Sequence, residues 1–184
     1  MLVTIRRKSI FYKILCFIRF FFVKGCYLNS MSLPNWGLIG KWNTLDLSKS
    51  TYIGKRLITS DFVEIYSKSK LKIGSNVTIN SYSRIVTFEK VEIGDNVMIG
   101  QQVTILDHDH GYYFSDDKLC FSGYNTSPIL IGNNVWIGDK VTILKGTVIG
   151  DNVIIGANSI VTHSTGDNVI VGGNPARIIR YLNE

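Results

Sequence analysis

The chain has 184 residues, of which 45% are hydrophobic and 18% are charged, and this balance excludes an intrinsically disordered protein. Its formal net charge of +6 favours an anionic partner, such as a phosphorylated cofactor, an acidic glycan, a membrane surface or nucleic acid. The cysteines form neither a CxxC pair nor a metal-ligand spacing, as expected of a reduced cytosolic chain, and they are Cys16, Cys26 and Cys120.

The N-terminal region, residues 1–50, contains a strongly apolar segment at 10–23 that is interrupted by Lys13 and Arg19. The segment is too short and too charged for a transmembrane helix, and no small-residue cleavage site marks a signal peptide. On a helix, the basic residues fall within one arc and the large apolar side chains crowd the opposite arc. We therefore predict a basic amphipathic helix within residues 1–28. It would either lie on an anionic membrane or pack its aromatic face within an oligomer.

Aliphatic residues recur every six positions from about Ile53 to Val171, and glycine commonly follows them. The clearest copies are Ile73, Ile79, Ile85, Ile93, Ile99, Ile105, Ile131, Ile137, Ile143, Ile149, Ile155 and Val161. An α-helix has no six-residue period, and Val, Ile and Thr favour strands. A short fixed period indicates a solenoid, in which three strand-and-corner units close one triangular coil of about 18 residues. We predict an all-β protein, a parallel β-helix over residues 51–171 with the aliphatic side chains in its bore.

The repeat is interrupted within this region. The intervals 65–73 and 85–93 each separate two aliphatic residues by eight positions instead of six. Residues 111–128 carry no repeat and many polar and aromatic side chains, and we predict that they form a loop extruded from the coil. The terminal segment, residues 172–184, begins with a Gly-Gly-Asn-Pro turn. Residues 176–182 are then predicted to form a short helix that caps the end of the solenoid.

This six-residue pattern, and above all the block Ile-Gly-Asn-Asn-Val-Trp-Ile-Gly at 131–138, resembles the hexapeptide-repeat acyltransferases. The resemblance covers about residues 51–180 and is greatest for the branch that contains galactoside, maltose and surface-polysaccharide O-acetyltransferases. It implies a left-handed β-helix, a homotrimer with active sites at the subunit interfaces, and acetyl-CoA as the acyl donor. It further implies acetyl transfer to a sugar hydroxyl of bacterial capsule, O-antigen or exopolysaccharide. We expect a cytoplasmic enzyme, in part peripheral to the membrane, with no metal and no nucleic-acid partner.

Two of the three histidines, His108 and His110, lie in the segment Leu-Asp-His-Asp-His-Gly, where the repeat stops. Removing a proton from a sugar hydroxyl needs a base that works near neutral pH, and histidine suits this task. The resemblance implies a catalytic histidine sixteen residues beyond Gly94, which is His110. His108 would point to the same side of a strand, as an alternative base or a substrate-positioning residue. Asp107 or Asp109 could orient either imidazole, and both histidines could instead be exposed loop residues.

Two other functions compete with acetyl transfer. A His-x-His pair with nearby aspartates can bind zinc, and γ-class carbonic anhydrases are left-handed β-helices with three histidine ligands. The third histidine, His163, lies far along the chain in a segment that resembles the cofactor end of the transferases. A non-catalytic β-helix used for binding or scaffolding is the other alternative. The chain has no Walker loop and no GxSxG elbow, so direct transfer without a covalent acyl-enzyme is expected.

Three residues are candidates for binding the acceptor, namely Asn80, Tyr82 and Asp107. Asn80 falls where the resemblance implies an acceptor-binding asparagine, although it also occupies a corner of the repeat. A neighbouring acidic position of the branch is replaced by Phe88. This departure suggests a different acceptor, or a contribution from Glu89 or Arg84.

The resemblance also implies eight cofactor-binding residues, which are Trp136, Gly138, Asp139, Ala157, Thr162, His163, Arg177 and Arg180. Trp136 faces outward by the repeat register, so it would wall the pantetheine tunnel or pack on a neighbouring subunit. The backbone N–H groups of Gly138 and Asp139 are candidates for stabilising an oxyanion. The family often has Lys or Arg where His163 stands, which weakens the expected phosphate contact. The C-terminal arginine pair suits adenine and the 3′-phosphate.

Overall fold

The computed structural model of the protein describes residues 10–26 and 37–182. Within them lie one α-helix, α1 (Ile10–Cys26), and twenty β-strands. In chain order the strands are β1 (Thr44–Asp46), β2 (Thr51–Ile53), β3 (Ile58–Thr59), β4 (Glu64–Ser67), β5 (Lys70–Ile73), β6 (Thr78–Ile79), β7 (Arg84–Thr87), β8 (Lys90–Ile93), β9 (Met98–Ile99), β10 (Thr104–Leu106), β11 (His108–Ser115), β12 (Lys118–Thr126), β13 (Ile129–Ile131), β14 (Trp136–Ile137), β15 (Thr142–Leu144), β16 (Val148–Ile149), β17 (Ile154–Ile155), β18 (Ile160–Val161), β19 (Val169–Gly173) and β20 (Ala176–Tyr181).

Three sheets of parallel strands form the faces of a solenoid. The first sheet has the order β1-β4-β7-β10-β15-β18, and the second has the order β16-β13-β8-β5-β2. The third runs β3-β6-β9-β14-β17-β19 and is extended by β20. From β1 to β18, outside the β11–β12 segment, successive strands of the chain belong to successive sheets, so three strands complete one coil. The predicted parallel β-helix is thereby confirmed.

The strand register shows two coil lengths. Glu64 in β4 pairs with Arg84 in β7, whereas Thr142 in β15 pairs with Ile160 in β18. The early coils are therefore two residues longer than the late ones. The extra residues lie in the turns between β4 and β5 and between β7 and β8, which are the two long intervals seen in the sequence.

The aliphatic residues of the repeat fill the bore. Ile65, Ile85, Ile105 and Ile143 follow one another across the first sheet, and each is at most 1% exposed. Burying one such side chain contributes about 1.5–3 kcal/mol. Because every coil contributes aliphatic side chains to the same column, the repeat itself supplies the hydrophobic core.

One corner of the solenoid is a ladder of asparagines in the left-handed backbone conformation, at Asn76, Asn96, Asn134, Asn152 and Asn168. The side-chain Nδ2 of each of the first four donates to the Oδ1 of the asparagine in the next coil, at 2.9–3.1 Å. Asparagine tolerates positive φ better than most residues with a side chain, so it can turn this corner at low cost. The repeated Gly-Asp-Asn and Gly-Asn-Asn motifs therefore build corners.

The long break in the repeat is a β-hairpin, where the sequence predicted a loop. β11 and β12 pair antiparallel, and Asp116 and Asp117 turn the chain with positive φ. Most of its side chains are exposed on both faces. Extrusion from the coil is confirmed, but the segment is ordered by its own backbone pairing and begins at His108, before the predicted boundary.

The C-terminal segment forms a strand, so the prediction of a C-terminal helix is wrong. β20 pairs antiparallel with β19 after a turn that contains a cis Asn174–Pro175 peptide bond. β19 is the last parallel strand of its sheet, and its free edge offers N–H and C=O groups to the returning chain. Ile178 and Ile179 are β-branched and also favour a strand.

α1 lies at the other end of the solenoid, against the first coil. The backbone N–H of Ile39 donates to the carbonyl of Cys16 at 3.2 Å, whereas the N–H groups of Leu38 and Gly40 donate to the second coil. The backbone N–H of Ile39 therefore points away from the second coil, towards α1. Residues 1–9 and 27–28 of the predicted helical region lie outside the described residues. Across 10–26 and 37–182, no helix has the length and hydropathy needed to cross a bilayer.

Candidate active site

A buried carboxylate stands where the repeat breaks after β10. The side chain of Asp107 is 0% exposed. Its oxygens accept hydrogen bonds from the backbone N–H groups of Phe88 at 2.8 Å, Glu89 at 2.7 Å and Lys90 at 2.8 Å. Phe88 and Glu89 lie in the turn that lengthens the preceding coil. Asp107 thus has no exposed surface in the single chain, and its carboxylate holds this turn in place.

The same carboxylate orients His108. Nδ1 of His108 lies 3.1 Å from Oδ1 of Asp107, and the imidazole stacks on Phe88 with ring centroids 3.8 Å apart. Because the carboxylate oxygen is an acceptor, the neutral ring carries its proton on Nδ1 in this arrangement and has its lone pair on Nε2. The His108 side chain is only 13% exposed, so this ring is held firmly but is difficult to reach.

His110 is exposed and lies on the same strand, β11. Its ring packs against Tyr124 of β12 with centroids 4.8 Å apart, and the ring of His108 meets the same Tyr124 at 5.5 Å. The two imidazoles therefore share one face of the hairpin, as the sequence predicted. No residue in the described part of the chain forms a hydrogen bond with the His110 imidazole, so both of its nitrogens are available to a ligand.

The hairpin is tied to the solenoid beside these histidines. Nζ of Lys145 lies 3.3 Å from Oδ2 of Asp109, and the N–H of Ser127 donates to the carbonyl of Asp107 at 2.9 Å. Of the two aspartates that could orient an imidazole, Asp107 does so, and Asp109 anchors the strand to a neighbouring coil.

The sequence alone did not identify the aromatic residues of this site as functional. Phe88 lies between the His108 ring and Nζ of Lys68, which is 4.3 Å from the Phe88 centroid, and Tyr124 contacts Phe88 edge-on at 4.6 Å. The replacement of an acidic residue by Phe88 was the one available signal. Tyr124 gave none, because its contact with the histidines depends on the hairpin. Arg84, named as a substitute for the missing acid, instead pairs with Glu64 at 3.5 Å.

Asn80 and Tyr82 lie at a corner of the solenoid. Nδ2 of Asn80 donates to the carbonyl of Ile99 at 2.9 Å, which is a bond between coils. Tyr82 is 58% exposed and stacks in parallel on Phe62, with centroids 5.0 Å apart. Phe62 and Tyr82 both have a positive φ, and so does Trp42, which lies one coil before Phe62. Tyr82 therefore presents an accessible aromatic face, whereas the amide of Asn80 is partly used by the corner.

Trp136 borders a surface pocket of about 310 Å³ that is lined also by Gly138, Asp139, Ile154, Ile155, Gly156 and Ala157. As the repeat register predicted, Trp136 points outward, and it is 54% exposed. Four of the eight predicted cofactor-binding residues meet in this pocket.

The backbone donors of this pocket differ in availability. The N–H of Gly138 donates to the carbonyl of Ile155 at 2.8 Å, so the solenoid already uses this donor. One coil earlier, the N–H of Gln101 donates to Oδ1 of Asp139 at 2.7 Å. The corresponding position after Asp139 is Ala157, which has no side-chain acceptor, and no described residue accepts a hydrogen bond from the N–H of Asp139. No described residue accepts a hydrogen bond from the N–H of Ala157 either, so the N–H groups of Asp139 and Ala157 are both free donors in the pocket.

The remaining predicted cofactor residues lie towards the C-terminal end. Oγ1 of Thr162 and Nδ1 of His163 are 2.7 Å apart, and the His163 ring is exposed. Arg177 and Arg180 are exposed on β20. These four residues are not drawn into the Trp136 pocket within one chain. The described residues contain no group of three His, Cys, Asp or Glu side chains that could hold a metal ion.

Comparison with known proteins bears on this arrangement. Residues 128–163 match the family model of the bacterial transferase hexapeptide (six repeats). The chain is 31% identical over 181 residues to WbbJ of Escherichia coli (strain K12), which is named as a lipopolysaccharide biosynthesis O-acetyl transferase, and the match covers 95% of this chain and 83% of that one. The chain belongs to the hexapeptide-repeat acyltransferases. The family and enzyme class predicted from the repeat are thereby confirmed.

Solved structures of hexapeptide-repeat acyltransferases share this architecture. The hexapeptide-repeat acetyltransferase VCA0836 of Vibrio cholerae, solved in complex with acetyl coenzyme A, is 25% identical with a TM-score of 0.50, and 80% of this chain and 72% of that chain are covered. A point mutant of the N-acyltransferase AntD of Bacillus cereus, solved with dTDP and coenzyme A, is 24% identical with a TM-score of 0.71, and 86% of each chain is covered. The likeness to AntD supports the fold alone.

Proposed function

We propose that this protein transfers the acetyl group of acetyl-CoA to a hydroxyl of a sugar, in the modification of a bacterial surface polysaccharide. The observation that carries the proposal is the position of His110, an exposed imidazole at the break of a hexapeptide-repeat solenoid, beside a second histidine that a buried carboxylate orients. The name of WbbJ supports a polysaccharide acceptor, and the acetyl coenzyme A bound to VCA0836 supports the donor.

His110 is the proposed general base. A base must approach the acceptor hydroxyl to about 3 Å, and the exposed ring of His110 permits this approach. His108 is enclosed by Phe88, Tyr124 and Asp107, which suits a residue that fixes the hairpin and lines the site. Because the neutral His108 ring also has a lone pair on Nε2, an experiment must show which of the two histidines acts as the base.

The proposed reaction is a single direct transfer. His110 accepts the proton of the acceptor hydroxyl while the oxygen attacks the thioester carbonyl carbon, and a tetrahedral oxyanion forms. The N–H of Asp139 is proposed to donate to that oxyanion, because it is an unused donor in the pocket that Trp136 borders. Collapse of the intermediate breaks the carbon–sulfur bond, releases the CoA thiolate and returns the proton from the imidazolium to the sulfur. No acyl-enzyme is formed.

We propose a homotrimer with its active sites between subunits, in the cytoplasm. Two features support it. His110 and the Trp136 pocket are both exposed in one chain, and one chain does not gather all the predicted cofactor residues. A neighbouring subunit would then complete the cofactor site, with Ala157, Thr162 and His163 along pantetheine and Arg177 and Arg180 near the nucleotide.

The test is thiol release from acetyl-CoA in the presence of amino sugars, sialic acids, and nucleotide-linked or lipid-linked sugars. Loss of a positioned base lowers kcat about 10²–10⁴-fold, so His110→Ala should do so while the Kd for acetyl-CoA is retained. Tyr113→Ala, exposed on the same hairpin, is the matched control and should keep full turnover. Undiminished kcat in His110→Ala together with loss in His108→Ala would transfer the base role to His108. Full activity in both variants would refute the proposed mechanism.

A further inference from the structure

The N-terminal helix α1 is mounted with its apolar face outward. Among the side chains that the structure describes in this helix, Cys16 and Phe20 are buried and pack on the first coil, and Tyr12 donates a hydrogen bond to Asp61 on the same side. The helix thus meets the solenoid through its narrower side. This is the reverse of a surface helix of a globular protein, whose apolar stripe faces the core.

The outward face of α1 consists of seven large apolar residues that fall within one arc of the helix, each between 40% and 78% exposed, namely Ile10, Phe11, Ile14, Phe17, Ile18, Phe21 and Phe22. Contiguous apolar surface of this kind marks a binding site for a membrane or another macromolecule.

Charge distinguishes between these partners. The first 45 residues contain no Asp or Glu, and their basic residues are Arg6, Arg7, Lys8, Lys13, Arg19, Lys24 and Lys41. A second copy of this chain would bring the same positive charge against itself. Anionic phospholipids would neutralise it, and basic residues that flank an apolar helix face are typical of helices bound at an anionic lipid surface.

A cationic pocket lies beside this face. Arg19, Lys41 and Trp42 line a pocket of about 380 Å³ where α1 meets the first coil. Nη1 of Arg19 is buried and has no hydrogen-bond partner among the described residues, and Nζ of Lys41 lies 5.7 Å from the Tyr12 ring centroid. A guanidinium and an ammonium beside an exposed indole suit a phosphate at the level of lipid headgroups.

We propose that α1 docks the protein on an anionic phospholipid bilayer, with its seven-residue apolar face inserted and with Arg19 and Lys41 against lipid phosphate. The N-terminal end of the solenoid then faces the membrane, and the coils that carry His110 and Trp136 extend away from it. This proposal does not depend on the reaction that the site catalyses.

Vesicle flotation of the full chain tests the docking. We expect flotation with vesicles of phosphatidylglycerol and phosphatidylethanolamine at least about tenfold above that with phosphatidylcholine vesicles, decreasing in high salt. The double variant Ile18→Ser/Phe22→Ser should lose this binding. The matched control Phe114→Ser/Phe121→Ser removes two equally exposed aromatic residues from the hairpin and should float like the unaltered chain. Lys41→Gln should weaken binding severalfold without abolishing it.

Thermal unfolding of each variant reports whether the solenoid is intact. Equal flotation of the Ile18→Ser/Phe22→Ser variant and the unaltered chain would overturn the proposal. So would loss of an oligomer in that variant, measured by light scattering, with no change in flotation, because the face would then belong to a contact between copies.

Discussion

Nδ1 of His108 lies 3.1 Å from Oδ1 of Asp107, and the same carboxylate accepts backbone N–H groups from the turn at Phe88 and Glu89. One buried side chain therefore links the shape of a lengthened coil to the orientation of an imidazole. Stability and activity have to be measured separately in any variant of Asp107.

Asp107→Ala should lower the free energy of unfolding by on the order of 3 kcal/mol, because backbone donors at Phe88, Glu89 and Lys90 lose their buried acceptor. Urea denaturation measures the change. Asp109→Ala is the control, since the exposed pair with Lys145 contributes at most about 1 kcal/mol. Similar losses in the two variants would contradict the structural role of Asp107.

Trp136→Ala should raise the Kd for acetyl-CoA by roughly tenfold, consistent with an aromatic contact of about 0.5–1.5 kcal/mol, without a change in thermal stability, because the indole is exposed in the single chain. Isothermal titration calorimetry measures the affinity. Met98 occupies the register position of Trp136 one coil earlier and is similarly exposed, so Met98→Ala is the matched control. A lower melting temperature with unaltered affinity would indicate a purely structural role for Trp136.

Gly94→Ala should destabilise the solenoid by roughly 1–3 kcal/mol, since an added Cβ would lie 2.5 Å from the carbonyl oxygen of Gly132 in the next coil. Gly166→Ala places a methyl group in open space and should leave the melting temperature within experimental error. Thermal unfolding compares the two. A tolerated Gly94→Ala would mean that the coils separate more easily than their hydrogen bonds suggest.

Tyr12 makes the attachment of α1 sensitive to alkaline pH. Burial, followed by the hydrogen bond to Asp61, raises the pKa of Tyr12 above its ordinary value of 10.0. Because the pKa in the folded state exceeds that of the unfolded chain, the neutral phenol stabilises the folded protein fully below about pH 10, and this contribution is lost as the pH rises further.

Tyr12→Phe should therefore reduce the loss of stability that begins above about pH 10, as measured by urea denaturation at successive pH values. Tyr52→Phe, an exposed tyrosine of the solenoid, should leave that loss unaltered. An identical pH dependence in the unaltered chain and in Tyr12→Phe would show that Tyr12 is not involved.

The solenoid could be predicted because its information is local. Every coil needs an aliphatic side chain in the bore and a small or polar residue at a corner, so Ile73, Ile79 and Ile85 reveal their burial by spacing alone. The break that holds His108 and His110 was visible for the same reason, as the place where the period fails.

The parts that the sequence did not predict depend on distant partners. Residues 176–182 have no pattern that excludes a helix, and their conformation follows from the free edge of β19. The hairpin exposes both faces, so its strands show no alternation of polar and apolar residues. The burial of Asp107 follows from the turn at Phe88, nearly twenty residues earlier in the chain.

For α1, the sequence predicted the element but not its orientation. The periodicity of residues 10–23 predicted an amphipathic helix, and the helix is present. Periodicity does not say which side faces the protein, and the contacts of Cys16 and Phe20 reverse the usual orientation. The orientation is set by the shape of the first coil, where an added Cβ at Gly37 would lie 2.9 Å from the Phe20 ring.

The antiparallel course of β20 also bears on the length of the particle. A stack of parallel coils has no intrinsic end, because its last strand presents the same unpaired edge that every earlier strand presented to its successor. In the third sheet β20 covers that edge and runs against the direction of all the strands before it. An incoming molecule finds no parallel template there. This returning strand thus acts against end-to-end growth into fibres, a hazard that repetitive strand proteins share.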